Sequence, residues 1–183
     1  QESDFDDYKK AKPELVSRLG SYCSYCERRI ATLLAVEHIQ PKDLPAYEGL
    51  IGRWENFLLA CVNCNSTKKD KDVVFTDVLL PDRDNTFAAF RYAANGKVVP
   101  IKSLNPAVRA AAAATLSLVG LDKRISRVLD ENGKQVALDR VAQRMEVWLI
   151  AEESKSDINK DSENQALRRA AIRTAQASGF FSI

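Results

Sequence analysis

Hydrophobic positions along this chain change their period several times, and each change marks an element. Leu15, Val16 and Leu19 recur at helical spacing behind Pro13, with Gly20 placed to stop them, which predicts a short helix in the first twenty residues. An apolar run (Leu33, Leu34, Ala35, Val36) then leads into Glu37 and His38, and the string from Trp54 to Leu59 leads toward Cys61. Ala94-Asn95-Gly96-Lys97 ahead of Val98-Val99 predicts a hairpin with a type I′ turn. Beyond Asn105 the text turns alanine-rich, with Pro106 just inside a helix start and Gly120 at its end. Ile125, Leu129, Val136, Val141, Met145 and Trp148 fit one helical stripe, with Asn132-Gly133 as its candidate break. The polar stretch Glu152 to Ser162 reads as a loop or linker, and a last helix is predicted from Glu163 to Ala177, ending at Gly179. Three stretches result: a helical lead over 1–20, a motif-dense part over 21–101, and a mostly helical part over 102–183.

Composition narrows the class. With 183 residues and 20.4 kDa the chain can bury one core, or a core with a small module. Hydrophobic residues make up 45% and charged residues 28%, without a run of about 18 apolar residues or a signal-peptide pattern, which argues against membrane, collagen-like and wholly disordered proteins. The formal charge of +2 and pI near 8.4 require any nucleic-acid binding to come from a local patch. The chain begins at Gln1 without a methionine, which suggests a trimmed terminus.

Four cysteines and one histidine carry the candidate chemistry. Cys23 and Cys26 form one C-x2-C knuckle, and Cys61 and Cys64 form another after 34 intervening residues. Two such knuckles suit one tetrahedral zinc ion held by four thiolates, and point to the reducing cytoplasm rather than to a disulfide scaffold.

The full string, Tyr22-Cys-Ser-Tyr-Cys-Glu, then Val36-Glu-His-Ile-Gln-Pro-Lys, then Trp54-Glu-Asn-Phe-Leu-Leu-Ala-Cys-Val-Asn-Cys-Asn-Ser-Thr-Lys68, resembles the HNH endonucleases with paired zinc knuckles. The likeness covers about residues 21–72 and places the signature letters on His38, Asn56 and Asn65. It implies an α+β protein with a zinc-stapled ββα-metal core and a helical C-terminal part. It also implies metal-dependent hydrolysis of DNA phosphodiesters, leaving 5′-phosphate and 3′-hydroxyl ends. In that scheme His38 is the general base, since imidazole titrates near neutrality and the chain has no other. Glu37 and Asn65 are the implied ligands of a catalytic Mg2+ or Mn2+, which oxygen donors favour. Asn56 either holds the loop beside His38 or reaches the metal. Neighbours on a regular strand point to opposite faces, so Glu37 and His38 share one site only if the strand ends or distorts there.

Other residues have candidate roles. Lys68, one helical turn after Asn65, is placed to meet the same phosphate. Arg28, Arg29 and Arg53 are candidates for backbone contact, Trp54 reads as packing, and Arg140/Arg144 and Arg169/Arg173 form i, i+4 pairs that give a basic face or ordinary solvation. The 82–122 segment loosely resembles stand-alone HNH effectors of Septu-type anti-phage systems, which implies a partner ATPase. Two alternatives stand beside the DNA nuclease: a non-catalytic zinc-stabilised module that binds DNA or a partner, and an RNA or tRNA nuclease.

Overall fold

A computed structural model describes residues 4–123 and 140–183. Ile125, Leu129, Val136 and the Asn132-Gly133 break lie outside the described residues. Helix α1 (Lys12–Leu19) has Pro13 in its first turn and ends at Gly20 with φ 71. Two strands, β1 (Ala35–His38) and β2 (Phe57–Ala60), pair antiparallel, with His38 opposite Phe57 and Val36 opposite Leu59. The short helix α2 (Val62–Lys68) follows at once, which completes a strand, strand, helix unit.

Every side chain of β2 is buried, and the two-residue period of a strand sorts them into two cores. Phe57 and Leu59 pack with Ala11, Leu15 and Leu34 on the α1 side. Leu58 and Ala60 face the cysteines, Ile39, Leu116 and Val119 on the other. At about 1.5–3 kcal/mol for each large apolar side chain removed from water, this strand is the spine of the fold.

Strands β3 (Phe90–Tyr92) and β4 (Val98–Pro100) form the expected hairpin. Its turn is not type I′. That type needs positive φ at both central residues, and in this loop only Gly96, at φ 70, has it. Gly96 N donates to Ala93 O at 2.8 Å and Ala93 N to Lys97 O at 3.0 Å, so the loop is the longer kind that closes on a left-handed glycine.

Helix α3 (Pro106–Val119) starts where Asn105 accepts from Val108 N and ends on left-handed Gly120. A Cβ at Gly120 would lie 2.9 Å from Thr67 of α2, so the two helices meet closely there. Helix α4 (Arg140–Lys160) overturns the loop expected at Glu152 to Ser162. The stretch is polar but has no glycine or proline before Lys160, exposed pairs Glu152–Lys155 and Asp157–Lys160 support it, and Ala151, Ser154 and Ile158 are half-buried beside the next helix. That helix, α5 (Gln165–Ser178), is capped by Asn164 and ends at Gly179. The chain then returns to the first knuckle, where Phe180 N donates to Glu27 O and Arg29 N to Ser178 O, both at 3.1 Å. Arg140 and Arg144 are buried, not a solvated basic face; Arg169 and Arg173 are exposed. No described helix is long and apolar enough to cross a membrane.

Candidate active site and metal centre

The two knuckles converge. The four cysteine sulfurs lie within 4.8 Å of one another, and each cysteine is at most 1% exposed. Cys26 Sγ and Cys61 Sγ are 3.8 Å apart, which is about the edge of a tetrahedron with Zn–S bonds of ~2.3 Å. Hydrogen bonds among the four thiols hold Cys61 far below its ordinary range and push Cys26 and Cys64 well above theirs, so the four groups share their protons as one cluster. Local structure brings this about. Glu27 N closes the first knuckle on Cys23 O at 2.8 Å, with Glu27 at positive φ. Ser24 N donates to Leu59 O at 2.7 Å, and Leu59 N to Ser24 Oγ at 3.2 Å, which pins that knuckle to β2. Cys61 directly precedes α2, and Cys64 sits in its first turns.

Beside this centre lies a cleft of about 770 Å³. It follows β1 from Leu34 to His38 and is closed by Tyr8, Lys9 and Lys12 on one side and by Asn65 and Lys69 on the other. Glu37, His38 and Asn65 therefore line one space. Glu37 and His38 do alternate across the strand: His38 lies with Phe57 on the α1 side, and Glu37 reaches Lys68 of α2. They serve one cleft because β1 is an edge of a two-stranded sheet and ends at His38, so the cleft borders both of its faces.

The His38 ring is held on three sides. Tyr8 meets it edge-on at 4.7 Å and Phe57 at 5.2 Å, and His38 Nε2 is 2.9 Å from Ile51 O. A carbonyl only accepts, so Nε2 carries the proton and Nδ1 is the basic nitrogen. Burial, with smaller help from Lys42 and Lys68, lowers the His38 pKa against the Ile51 contact, which keeps the imidazole neutral near pH 7.

Glu37 is 4% exposed, and its Oε1 accepts from Lys68 Nζ at 2.9 Å. Burial pushes the carboxyl up while Lys68 pulls it back. Among the described residues nothing donates to its other oxygen, and with the Asn65 carboxamide in the same cleft the pair suits a hard divalent ion. Asn56 is buried, and all its amide contacts go to backbone: Oδ1 accepts from Gln40 N at 2.8 Å, and Nδ2 donates to Gln40 O at 3.0 Å and Leu50 O at 3.3 Å. Of its two expected roles, this is the geometry of holding the loop.

Lys68 departs from its expected place. It has no exposed surface, and its ammonium bonds Glu37 and His38 O at 2.8 Å, so it stands behind the cleft rather than on it. The reason is its position at i+4 from Cys64 on the buried stripe of α2. Arg53 pairs with Asp4 and Glu55, Arg28 bonds Gln143 and Arg29 is exposed; none of the three lines the cleft. Trp54 packs against Phe5, beneath the Arg18 guanidinium.

Sequence reasoning missed Tyr8, Lys9, Lys12, Lys42 and Lys69, which line the cleft, and Ile51, which fixes the tautomer of His38. The first three come from a segment ahead of the motif; Phe5 N donates to Gly52 O at 2.9 Å and brings that segment onto the Ile51 loop. A Lys9-Lys10-x-Lys12 run was the one signal available for them.

Comparison with curated proteins finds no match. Residues 23–71 match the family model described as HNH endonuclease, a span that holds both knuckles, the strand pair, His38, Asn56 and Asn65. The part of this chain from Cys23 to Lys71 is therefore an HNH domain.

Proposed function

We propose that this chain is a metal-dependent endonuclease that hydrolyses DNA phosphodiester bonds with His38 as general base. The observation that carries the reading is the Ile51 carbonyl on His38 Nε2, which leaves Nδ1 as the basic nitrogen of a residue that lines one cleft with Glu37 and Asn65. Nδ1 takes a proton from water, the resulting hydroxide attacks phosphorus, and the bond to the 3′ oxygen breaks, giving a 5′-phosphate and a 3′-hydroxyl whose proton comes from solvent. Glu37 and Asn65 would hold Mg2+ or Mn2+, which supplies Lewis-acid stabilisation of the phosphate and leaving oxygen. Lys68 keeps Glu37 in place from behind, and Asn56 keeps the Gln40 and Leu50 backbone where His38 needs it. Lys9, Lys12, Lys42 and Lys69 line the cleft beside Asp43 and Asp70 and are the candidates for backbone phosphates. The cysteine centre, loaded with zinc, staples the strand pair to α2 and takes no part in the chemistry.

The test is cleavage of supercoiled plasmid, single-stranded DNA and RNA by zinc-loaded wild type and His38→Ala, with Mg2+, Mn2+ or no added divalent ion. Metal-dependent nicking of DNA that disappears in folded His38→Ala is the expected result. Cleavage of RNA alone would move the substrate to RNA, and DNA binding without cleavage of any substrate would make the domain a binding module. A role in anti-phage defence beside a partner ATPase rests on the likeness of the 82–122 segment and is checked by phage plating with and without His38.

A further inference from the structure

Arg140, the first described residue of α4, is buried and reaches across to the cysteine centre. Its Nη1 donates to Cys64 Sγ at 3.2 Å and to Val119 O at 3.1 Å, and its Nη2 to Gly120 O at 2.7 Å. The carbonyls belong to the end of α3, where helical backbone leaves acceptors without intrahelical donors and a partial negative charge accumulates. Cations collect there: Lys71 Nζ lies 3.4 Å from Leu118 O, and Arg144 Nη2 3.5 Å from Leu121 O. Arg144 also donates from Nε to Gly96 O at 2.7 Å, tying α4 to the hairpin. Arg140 thus joins three elements at one point: the second knuckle, the end of α3 and the start of described α4.

The sulfur contact matters because of charge. Four thiolates around one Zn2+ leave a formal excess of two negative charges, here among side chains at most 1% exposed. Such an excess needs a partner in a low-dielectric setting. Among the described residues, Arg140 is the cationic side chain that donates to a cysteine sulfur.

We propose that Arg140 hydrogen-bonds the zinc-bound thiolate of Cys64, ties helix α4 to the cysteine centre, and slows loss of the metal. With zinc present the guanidinium faces a thiolate, and its bond is charge-assisted. The inference concerns the zinc centre and does not depend on the catalytic reading of the cleft.

The experiment uses the full chain loaded with zinc, as wild type, Arg140→Lys and Arg140→Met. The rate of zinc transfer to a chromophoric chelator is followed, together with hydrogen exchange over residues 140–160 of each zinc-loaded protein. Partners behind metal ligands change affinity by about 10–100-fold, so Arg140→Met is expected to release zinc at least about tenfold faster, with Arg140→Lys between. With zinc bound, exchange in α4 of Arg140→Met is expected to rise above wild type while exchange in β2 does not. Equal release rates in all three proteins, or α4 protection unchanged by Arg140→Met, overturns the proposal. Should the variants not fold, wild type loaded with cadmium-113 decides: the Arg140 guanidinium protons are expected to shift relative to the zinc form while those of exposed Arg168 do not, and an unmoved Arg140 signal refutes the contact.

Discussion

The buried pair of Glu37 and Lys68 allows a quantitative test. Replacing Lys68 by Met keeps the length of the side chain and its place among apolar neighbours, but removes the ammonium that Glu37 faces at 2.9 Å. Removing one partner of a buried pair costs about 3–5 kcal/mol because the other charge is stranded. Here the cost has a ceiling, since Glu37 can take up a proton. Doing so at pH 7, from an ordinary value of 4.5, costs about 3.4 kcal/mol at ~1.36 kcal/mol per unit. Loss of the bond to His38 O adds about 1 kcal/mol, and the methionine, cheaper to desolvate than an ammonium, offsets a similar amount. The expected destabilisation at pH 7 is therefore about 3 kcal/mol. Its pH dependence follows from the same argument. In Lys68→Met the folded carboxyl is raised above its unfolded value, so its protonated form favours the folded state below about pH 4.5 and that support is lost as pH rises. The deficit against wild type should shrink by over 1 kcal/mol between pH 7 and pH 5 and nearly vanish when Glu37→Gln is added. Urea unfolding of the four proteins of this cycle, with zinc in constant excess and no other divalent ion, measures all of it. A Lys68→Met cost under about 1 kcal/mol, a cost indifferent to pH, or additive single effects would refute the reasoning.

Other outcomes follow from the same geometry. Stripping zinc, or replacing Cys61 by Ser, should melt the domain cooperatively, since the cysteines are part of the apolar core itself; a chelator titration followed by near-ultraviolet circular dichroism checks this, and an unchanged spectrum argues against a structural metal. Asn56→Ala should cost about 2–4 kcal/mol, because it empties a buried site and leaves partly buried backbone groups of Gln40 and Leu50 without their partner, and activity should fall with it; a thermal melt reads the first and plasmid nicking the second. The single-turnover rate should rise with pH through a midpoint below the ordinary histidine value of 6.5 and be level by pH 7, because burial lowers the His38 pKa and the neutral ring is the base; a midpoint above 6.5 contradicts that assignment. Lys9→Ala with Lys12→Ala should leave stability untouched and weaken DNA binding, with the log–log salt dependence shallower by about 0.9 for each phosphate no longer neutralised; an unchanged slope removes these lysines from the substrate path.

Much of this molecule is written in local sequence, because the signals involved are local. Pro13, Gly20, Asn105, Pro106 and Gly120 mark helix ends through backbone geometry that each residue carries by itself, and α1 and α3 lie where they point. The knuckle spacing specified a four-thiolate site, since two residues between cysteines set the bite of one ion. Local reading failed where two conformations compete at similar cost. Polarity from Glu152 to Ser162 describes a loop and an exposed helix equally well, and only α5 lying alongside decides for helix. Asn95-Gly96 is compatible with two hairpin turns, and Asn95 keeping a negative φ decides between them.

For the site itself, the residue types were determined by sequence and their roles by packing. The order Glu37, His38, Asn56, Asn65 announced the chemistry, but nothing local could tell that Asn56 would turn its amide onto backbone or that Ile51 would offer its carbonyl to His38. Lys68 was misplaced because a charged residue is assigned to the surface until a buried partner is known, and that partner, Glu37, sits on another element far back in the chain. Tyr8, Lys9 and Lys12 joined the cleft, and Arg140 the cysteine centre, through contacts distant in sequence. Such contacts depend on which faces of strands and helices become neighbours, and that is settled when β2 divides its side chains between two cores.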